Sequence, residues 1–258
     1  MAKYFIYSDP NIYDTSAVAA GTISGSSTKT FTPNTSAITN VGRITDQNIG
    51  SAISTVAQYD TIRIDLGAAS SPNAIAFYHT AADTNNLEIA ASNSATSYVT
   101  GDHVLSLSDD FSEGWSAHAI TVSSKRYLFI YNSTANDWDY CSEILVGTKY
   151  TFDRNYDLGA NFGAEFGVKN TESYGGIEYS HKRFGKKNTW DLQWTRLSNT
   201  HMNSLISLRD AVEGSRFKFL YYDDSNFYWV RMDDKSLQKK EIAYQTFNTR
   251  MKLREQLA

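Results

Sequence analysis

The sequence predicts a mainly β protein in two parts. Residues 1–147 read as an antiparallel β-sandwich or jelly roll. Residues 148–258 read as an α+β domain, an antiparallel sheet or barrel packed with one helix. Three observations predict this. The 258 residues include 17 tyrosines, 13 phenylalanines and only 3 prolines, with abundant Ser and Thr, a composition that favours strands. Short alternating apolar segments recur about every 10 to 15 residues with turn residues between them, the cadence of a sandwich. One stretch alone, about residues 200–213, switches to helical spacing.

Taken in order, residues 4–7 form a short apolar strand, followed by a Ser/Thr/Gly-rich run that reads as turns and edge segments or, equally, as a strand with a polar outer face around residues 28–32. Ile62, Ile64 and Leu66 alternate with Thr61, Arg63 and Asp65 up to Gly67, a half-buried strand closed by a turn. Strands follow at residues 74–78, 87–91, 104–107, 118–122, 126–131 and 143–146, with a loop over 92–100. Residues 148–174, with several glycines, read as strand pieces and a linker between the domains. Strands at 177–179 and 189–194 flank a charged run, residues 181–187, which reads as a hairpin tip because it holds Gly185 and lies between two strand patterns. The helix carries Met202, Leu205, Leu208 and Val212 on one side, with Ser198 or Thr200 to cap it and Gly214 to end it. Strands at 217–222, 227–232 and 244–253 complete the second domain.

Charge is divided. Residues 1–147 hold 6 basic against 14 acidic residues, a net −8, and residues 148–258 hold 18 against 14, a net +4. This asymmetry marks two units in different surroundings. The run at 181–187 is the one candidate basic patch for nucleic acid, and a solvated tip accounts for it, so no nucleic-acid partner is expected. No apolar run reaches membrane-spanning length and no secretory h-region opens the chain, so synthesis in a cytoplasm without membrane insertion is expected.

Catalysis is not expected. The five histidines, His79, His103, His118, His181 and His201, show no HxxxH or HExxH spacing. No GxSxG elbow occurs. Cys141, the single cysteine, allows no disulfide or CxxC metal site and reads as a half-buried strand residue. Asp223-Asp224 and Asp233-Asp234 could form a carboxylate pair for a hydrolase only if they converged on one cleft, and solvated turns account for them. Asp46 and Asn48 alone supply too few oxygens for calcium. No cofactor and no metal are expected.

In the first domain the order of segments is informative: Asp46 and Asn48, then IDLG ending at Gly67, LEIAASNS over 87–94, KRYLFIYNS over 125–133 and SEILVG over 142–147. This order resembles a galactose-binding-like domain of the discoidin kind, without a bracketing cysteine pair. The resemblance implies ligand loops at one end of the sandwich. They would carry Asp46, Asn48, Tyr98, Asp102, His103, Trp115, Asn136 and Trp138. Trp115, Trp138 and Tyr98 are the candidate glycan contacts, because an aromatic ring with a polar tip suits a sugar face. Plugging the sandwich ends is the alternative role for the two tryptophans.

The second domain carries W-x-L-x-W (Trp190, Leu192, Trp194), the helix over 203–212, FKFLYY over 217–222, YWVRM over 228–232 and MKLREQL over 251–257. This pattern resembles the assembly domain of tailed-phage distal tail and minor tail proteins, which resemble tail-tube subunits. The resemblance implies a virion tail protein at the tail tip or baseplate. Its partners would be copies of itself in a ring, commonly hexameric, and tail-tube and hub or baseplate proteins. An outer sandwich would face host surface glycans. The outer module here precedes the assembly domain, the reverse of distal tail proteins that carry it C-terminally. A carbohydrate-binding or receptor-binding module with no ring-building role is the alternative.

Overall fold

A computed structural model describes residues 3–8, 14–18, 28–30, 61–99, 102–132, 140–152, 154–157, 160–233 and 237–256. The protein is mainly β, with antiparallel sheets and one helix among the described residues. The chain divides into two compact units, Ile6–Lys149 and Tyr150–Leu257, the latter joined by Met1–Phe5.

The strands of the first part are β1 (Tyr4–Ser8), β2 (Asp14–Val18), β3 (Thr28–Thr30), β4 (Thr61–Ser70), β5 (Ala74–His79) and β6 (Asp83–Ser92). They continue as β7 (Ser97–Val99), β8 (His103–Phe111), β9 (Gly114–Ala119), β10 (Lys125–Asn132) and β11 (Cys141–Thr151). In the unit Ile6–Lys149 one sheet runs β2-β4-β10-β6-β8, a second holds β11-β5-β9, and β3 pairs β7. Ile62, Ile64, Leu66, Leu87, Ile89, Leu128 and Ile130 of the first sheet share a core with Ile75, Phe77, Cys141, Ile144 and Val146 of the second. The alternation of IRIDLG sends its isoleucines and leucine inward, as period-2 geometry requires.

Asp65 faces outward and holds the end of β4. Its carboxylate accepts from the Gly67 amide at 2.7 Å and forks with Arg126 at 2.9 and 3.0 Å. The Arg126 guanidinium holds the Asp65 carboxyl below the usual carboxylate range. Gly67 has φ 76°, a conformation that favours glycine and closes the turn.

The other unit contains β12 (Asn161–Glu172), β13 (Glu178–Ser198), α1 (Asn199–Ala211), β14 (Phe219–Asp223), β15 (Asn226–Met232), β16 (Lys240–Ala243) and β17 (Thr246–Glu255). Its sheet runs β12-β13-β17-β15-β14-β1, with β16 also paired to β17. Trp190, Leu192 and Trp194 alternate inward from β13 and are buried with Met251 and Leu253 of β17. The chain then passes directly from β13 into α1. The Ser198 hydroxyl accepts from the His201 amide at 3.4 Å, so of the two predicted caps Ser198 serves. Met202, Leu205, Leu208 and Val212 are all buried, as their spacing predicts. Gly214 ends the helix at φ 68° with its amide on the Arg209 carbonyl.

Several sequence expectations are corrected. The two strands at 177–179 and 189–194 are one strand of 21 residues, and the charged run 181–187 lies in its body. The reversal sits instead at Tyr174-Gly175-Gly176, where the Ile177 carbonyl accepts from Ser173. Residues 148–174, read as strand pieces and a linker, hold the end of β11 and one continuous strand of 12 residues, β12. The strand expected at 118–122 begins earlier, at Gly114, and the loop at 92–100 holds β7. Cys141 is wholly buried rather than half-buried, because a core position of β11 takes a small apolar group. Asp223 and Asp224 are not simply solvated: Lys3 pairs with them at 2.5 and 3.7 Å.

Candidate functional site

In the sandwich, Trp115 stands on edge strand β9, directly opposite Tyr78 of β5, which in turn faces Glu143 of β11. Residues directly opposite share a face of a sheet, so these three form one cross-strand row turned away from the sandwich core. The Tyr78 and Trp115 rings meet edge to face, centroids 5.3 Å apart. Burial falls along the row, from Glu143 at 1% exposure to the half-buried rings of Tyr78 and Trp115.

A bulge creates this row. Between the pairs Cys141↔His79 and Glu143↔Tyr78, β11 advances two residues while β5 advances one. Cys141 therefore points into the core and Glu143 away from it, although residues two apart normally share a face. Burial and the Glu143 charge push the Cys141 thiol well up, which suits packing and opposes nucleophilic use. On the core side His79 stacks on Phe111 with centroids 4.5 Å apart. Burial lowers its pKa to about 4.

The row includes one of the predicted glycan contacts. Trp115 lies on a strand rather than a loop. Tyr98 belongs to β7, whose pairing with β3 puts it in a different sheet from Trp115. Trp138, Asp46, Asn48 and Asn136 lie outside the described residues. The Tyr78 ring was missed by sequence reasoning. Only the pairing register brings it to Trp115.

His103 and Asp102 lie at the start of β8. The His103 Nε2 is 2.5 Å from the Glu88 carboxylate and 3.0 Å from the Ser106 hydroxyl, which itself donates to Glu88 at 2.7 Å. Ser, His and Glu thus meet, but both partners share one ring nitrogen. A nucleophile relay needs the base nitrogen on the hydroxyl and the other nitrogen on the carboxylate, so this cluster is a surface polar contact. Asp102 pairs with Lys125 at 2.7 Å. Among the described residues no group of three or more His, Cys, Asp or Glu is placed to hold a metal ion, and no helix is long and apolar enough to cross a membrane.

The other unit presents a different feature. Twelve register pairs join β12 and β13, from Asn161↔Asp191 to Glu172↔Glu178. β17 pairs β13 only from Thr189 to Ser198. Beyond Thr189 the two strands continue as a ribbon with no third strand among the described residues. Phe166 is 62% exposed, and Val168, Tyr174, Ile177 and Tyr179 are exposed as well. Phe184 covers Gly167 on the opposite strand, where an added Cβ would lie 2.3 Å from the ring, so only glycine admits this closure.

No family model matches the chain, and no curated protein matches it. Solved structures similar to it include a family 89 glycoside hydrolase from Clostridium perfringens, at 14% identity and TM-score 0.37, covering 54% of this chain and 14% of that chain. The chain is also similar to chitosan-binding module 1 of a chitosanase/glucanase from Paenibacillus sp. IK-5, at 15% identity and TM-score 0.38, covering 54% of this chain and 98% of that one. The lectin domain of lectinolysin, complexed with Lewis B antigen, matches at 15% identity and TM-score 0.36, covering 55% and 98%. The chain thus spans a small fraction of the hydrolase's length and nearly all of the two binding modules'.

Proposed function

We propose that this protein is a self-assembling structural subunit of a virion tail. Copies join through the unit Tyr150–Leu257 and display the sandwich. The observation that carries this reading is the β12–β13 ribbon. An isolated two-stranded ribbon is marginal in water, and this one carries Phe166, Val168, Ile177 and Tyr179 exposed. β12 is also an edge strand of 12 residues, a template for pairing with another chain. The ribbon bears charges of both signs, Glu165, Glu172 and Glu178 with Lys169, Lys182 and Lys186. Such a surface complements itself, so a second copy is the fitting partner. If that copy docks its own body on the ribbon, the contact is head-to-tail, the kind that gives a ring when its rotation closes and a filament when it does not. The run from the W-x-L-x-W strand into α1, then into β14, β15 and β17, follows the order that the tail-protein resemblance implies, and it supports a tail as the assembly.

Sedimentation velocity tests this. The purified chain is expected to associate, and the double variant Phe166→Ser, Tyr179→Ser to sediment as a single chain with an unchanged circular dichroism spectrum. A wild-type chain that stays single at high concentration, and is absent from purified particles, would sink the proposal.

A second reading concerns the sandwich: we infer that it binds carbohydrate at Trp115 and Tyr78. The observation favouring it is the half-buried edge-to-face pair that Tyr78 makes with Trp115 of edge strand β9, an aromatic surface of the kind that suits a sugar face.

A further inference from the structure

The unit Tyr150–Leu257 contains a polar cavity of about 240 Å³ lined by Ser215, Arg231, Met232, Asp233, Arg254 and Gln256. Arg231 of β15 lies directly opposite Arg254 of β17. Two cations in that relation repel each other across the ladder unless an anion stands between them. The Nε atoms of both are buried and have no hydrogen-bond partner among the described residues. Arg254 gives a terminal nitrogen to Glu165 at 2.8 Å. Arg231 takes part in none of the ion pairs among the described residues. Asp233 lines the same cavity at an exposed position and is ion-paired to neither arginine among the described residues.

A buried guanidinium N–H without an acceptor is costly; both arginines carry one and both line the same cavity, which makes it a place for an acceptor with several lone pairs. Arginine's planar fork matches the oxygens of a phosphate or carboxylate two at a time. The Ser215 side chain adds a hydroxyl to the lining. We propose that Arg231 and Arg254 form an oxyanion site, filled by a phosphate or carboxylate group that comes either from a free anion or from an acidic side chain of another chain. This site meets the ribbon at one point, the Arg254–Glu165 pair, and its phosphate binding does not rest on the ribbon joining copies.

The experiment is calorimetric titration of the full chain with inorganic phosphate at constant ionic strength, paired with sedimentation velocity. One phosphate per chain is expected to bind, at least about tenfold more weakly in Arg231→Gln, since a hydrogen bond to a charged group is worth that much. Arg231→Lys, which retains the charge and loses the fork, should also weaken binding. Ser215→Ala, in a turn, serves as the variant least able to disturb the fold, and all are checked by circular dichroism. If the natural occupant is a side chain of another copy, phosphate and Arg231→Gln will both reduce association. If it is a free anion, association will be unaffected while phosphate still binds. Folded variants that bind phosphate as the wild type does, or a wild type that neither binds phosphate nor changes its association in Arg231→Gln, would overturn the site.

Discussion

Trp115 is legible in the sequence as an aromatic beside turn residues, but its neighbour is not. Tyr78 lies in another strand, and the pairing of β5 with β9 decides the contact. The bulge that turns Glu143 outward has no mark in the sequence, because SEILVG reads as a plain alternating strand. His79 is similar: its neighbours predict a strand end, and only the fold shows it stacked in the core. Its chemistry makes a prediction. Its pKa is near 4 when folded against 6.5 for the free side chain. The unfolded chain therefore takes up a proton below pH 6.5 while the folded chain does so only near 4. Stability is fully present above pH 6.5 and falls as pH drops from 6.5 towards 4, by about 3 kcal/mol for this group. Urea unfolding at pH 7 and pH 4.5 should show that loss, and His79→Leu should remove much of the pH dependence. An equal slope in the variant would refute the assignment.

At the level of the element, α1 was the most readable part of the chain. Its apolar spacing, Ser198 cap and Gly214 stop are all local signals, and all are used. Because Leu205 is buried at 1% exposure, Leu205→Ala should cost about 2–5 kcal/mol in chemical denaturation; a cost below that of a surface change would mean the helix face is not packed. Local pattern does not mark β13 as one strand, for a physical reason. Where both faces of a ribbon meet water, no apolar–polar alternation is required, so the pattern that identifies strands disappears. Lys182, Arg183, Lys186 and Lys187 with Gly185 then look like a turn. The real turn, at Gly175 and Gly176, has φ 75° at Gly176.

For the whole molecule, the two proposed roles belong to different units and should separate by mutation. Trp115→Ala is expected to weaken binding on a glycan array about tenfold, the worth of an aromatic contact, and to leave sedimentation unchanged. The ribbon double variant should do the reverse. A glycan signal that survives Trp115→Ala, or no signal from the wild-type chain, would remove the carbohydrate reading and leave assembly standing. The charge division of the sequence, acidic first and basic second, agrees with two units that meet different surroundings.

What short-range pattern settled is the mainly β class, the place and face of the one helix, and the alternating core strands. Each depends on residues within a few positions of one another, where propensity, period and capping act. Folding in space settled the rest. The length and exposure of the β12–β13 ribbon, the meeting of Tyr78 with Trp115 and the facing of Arg231 by Arg254 all follow from register between segments that local pattern treats as independent. A shift of one residue in that register would turn each of these side chains to the opposite face.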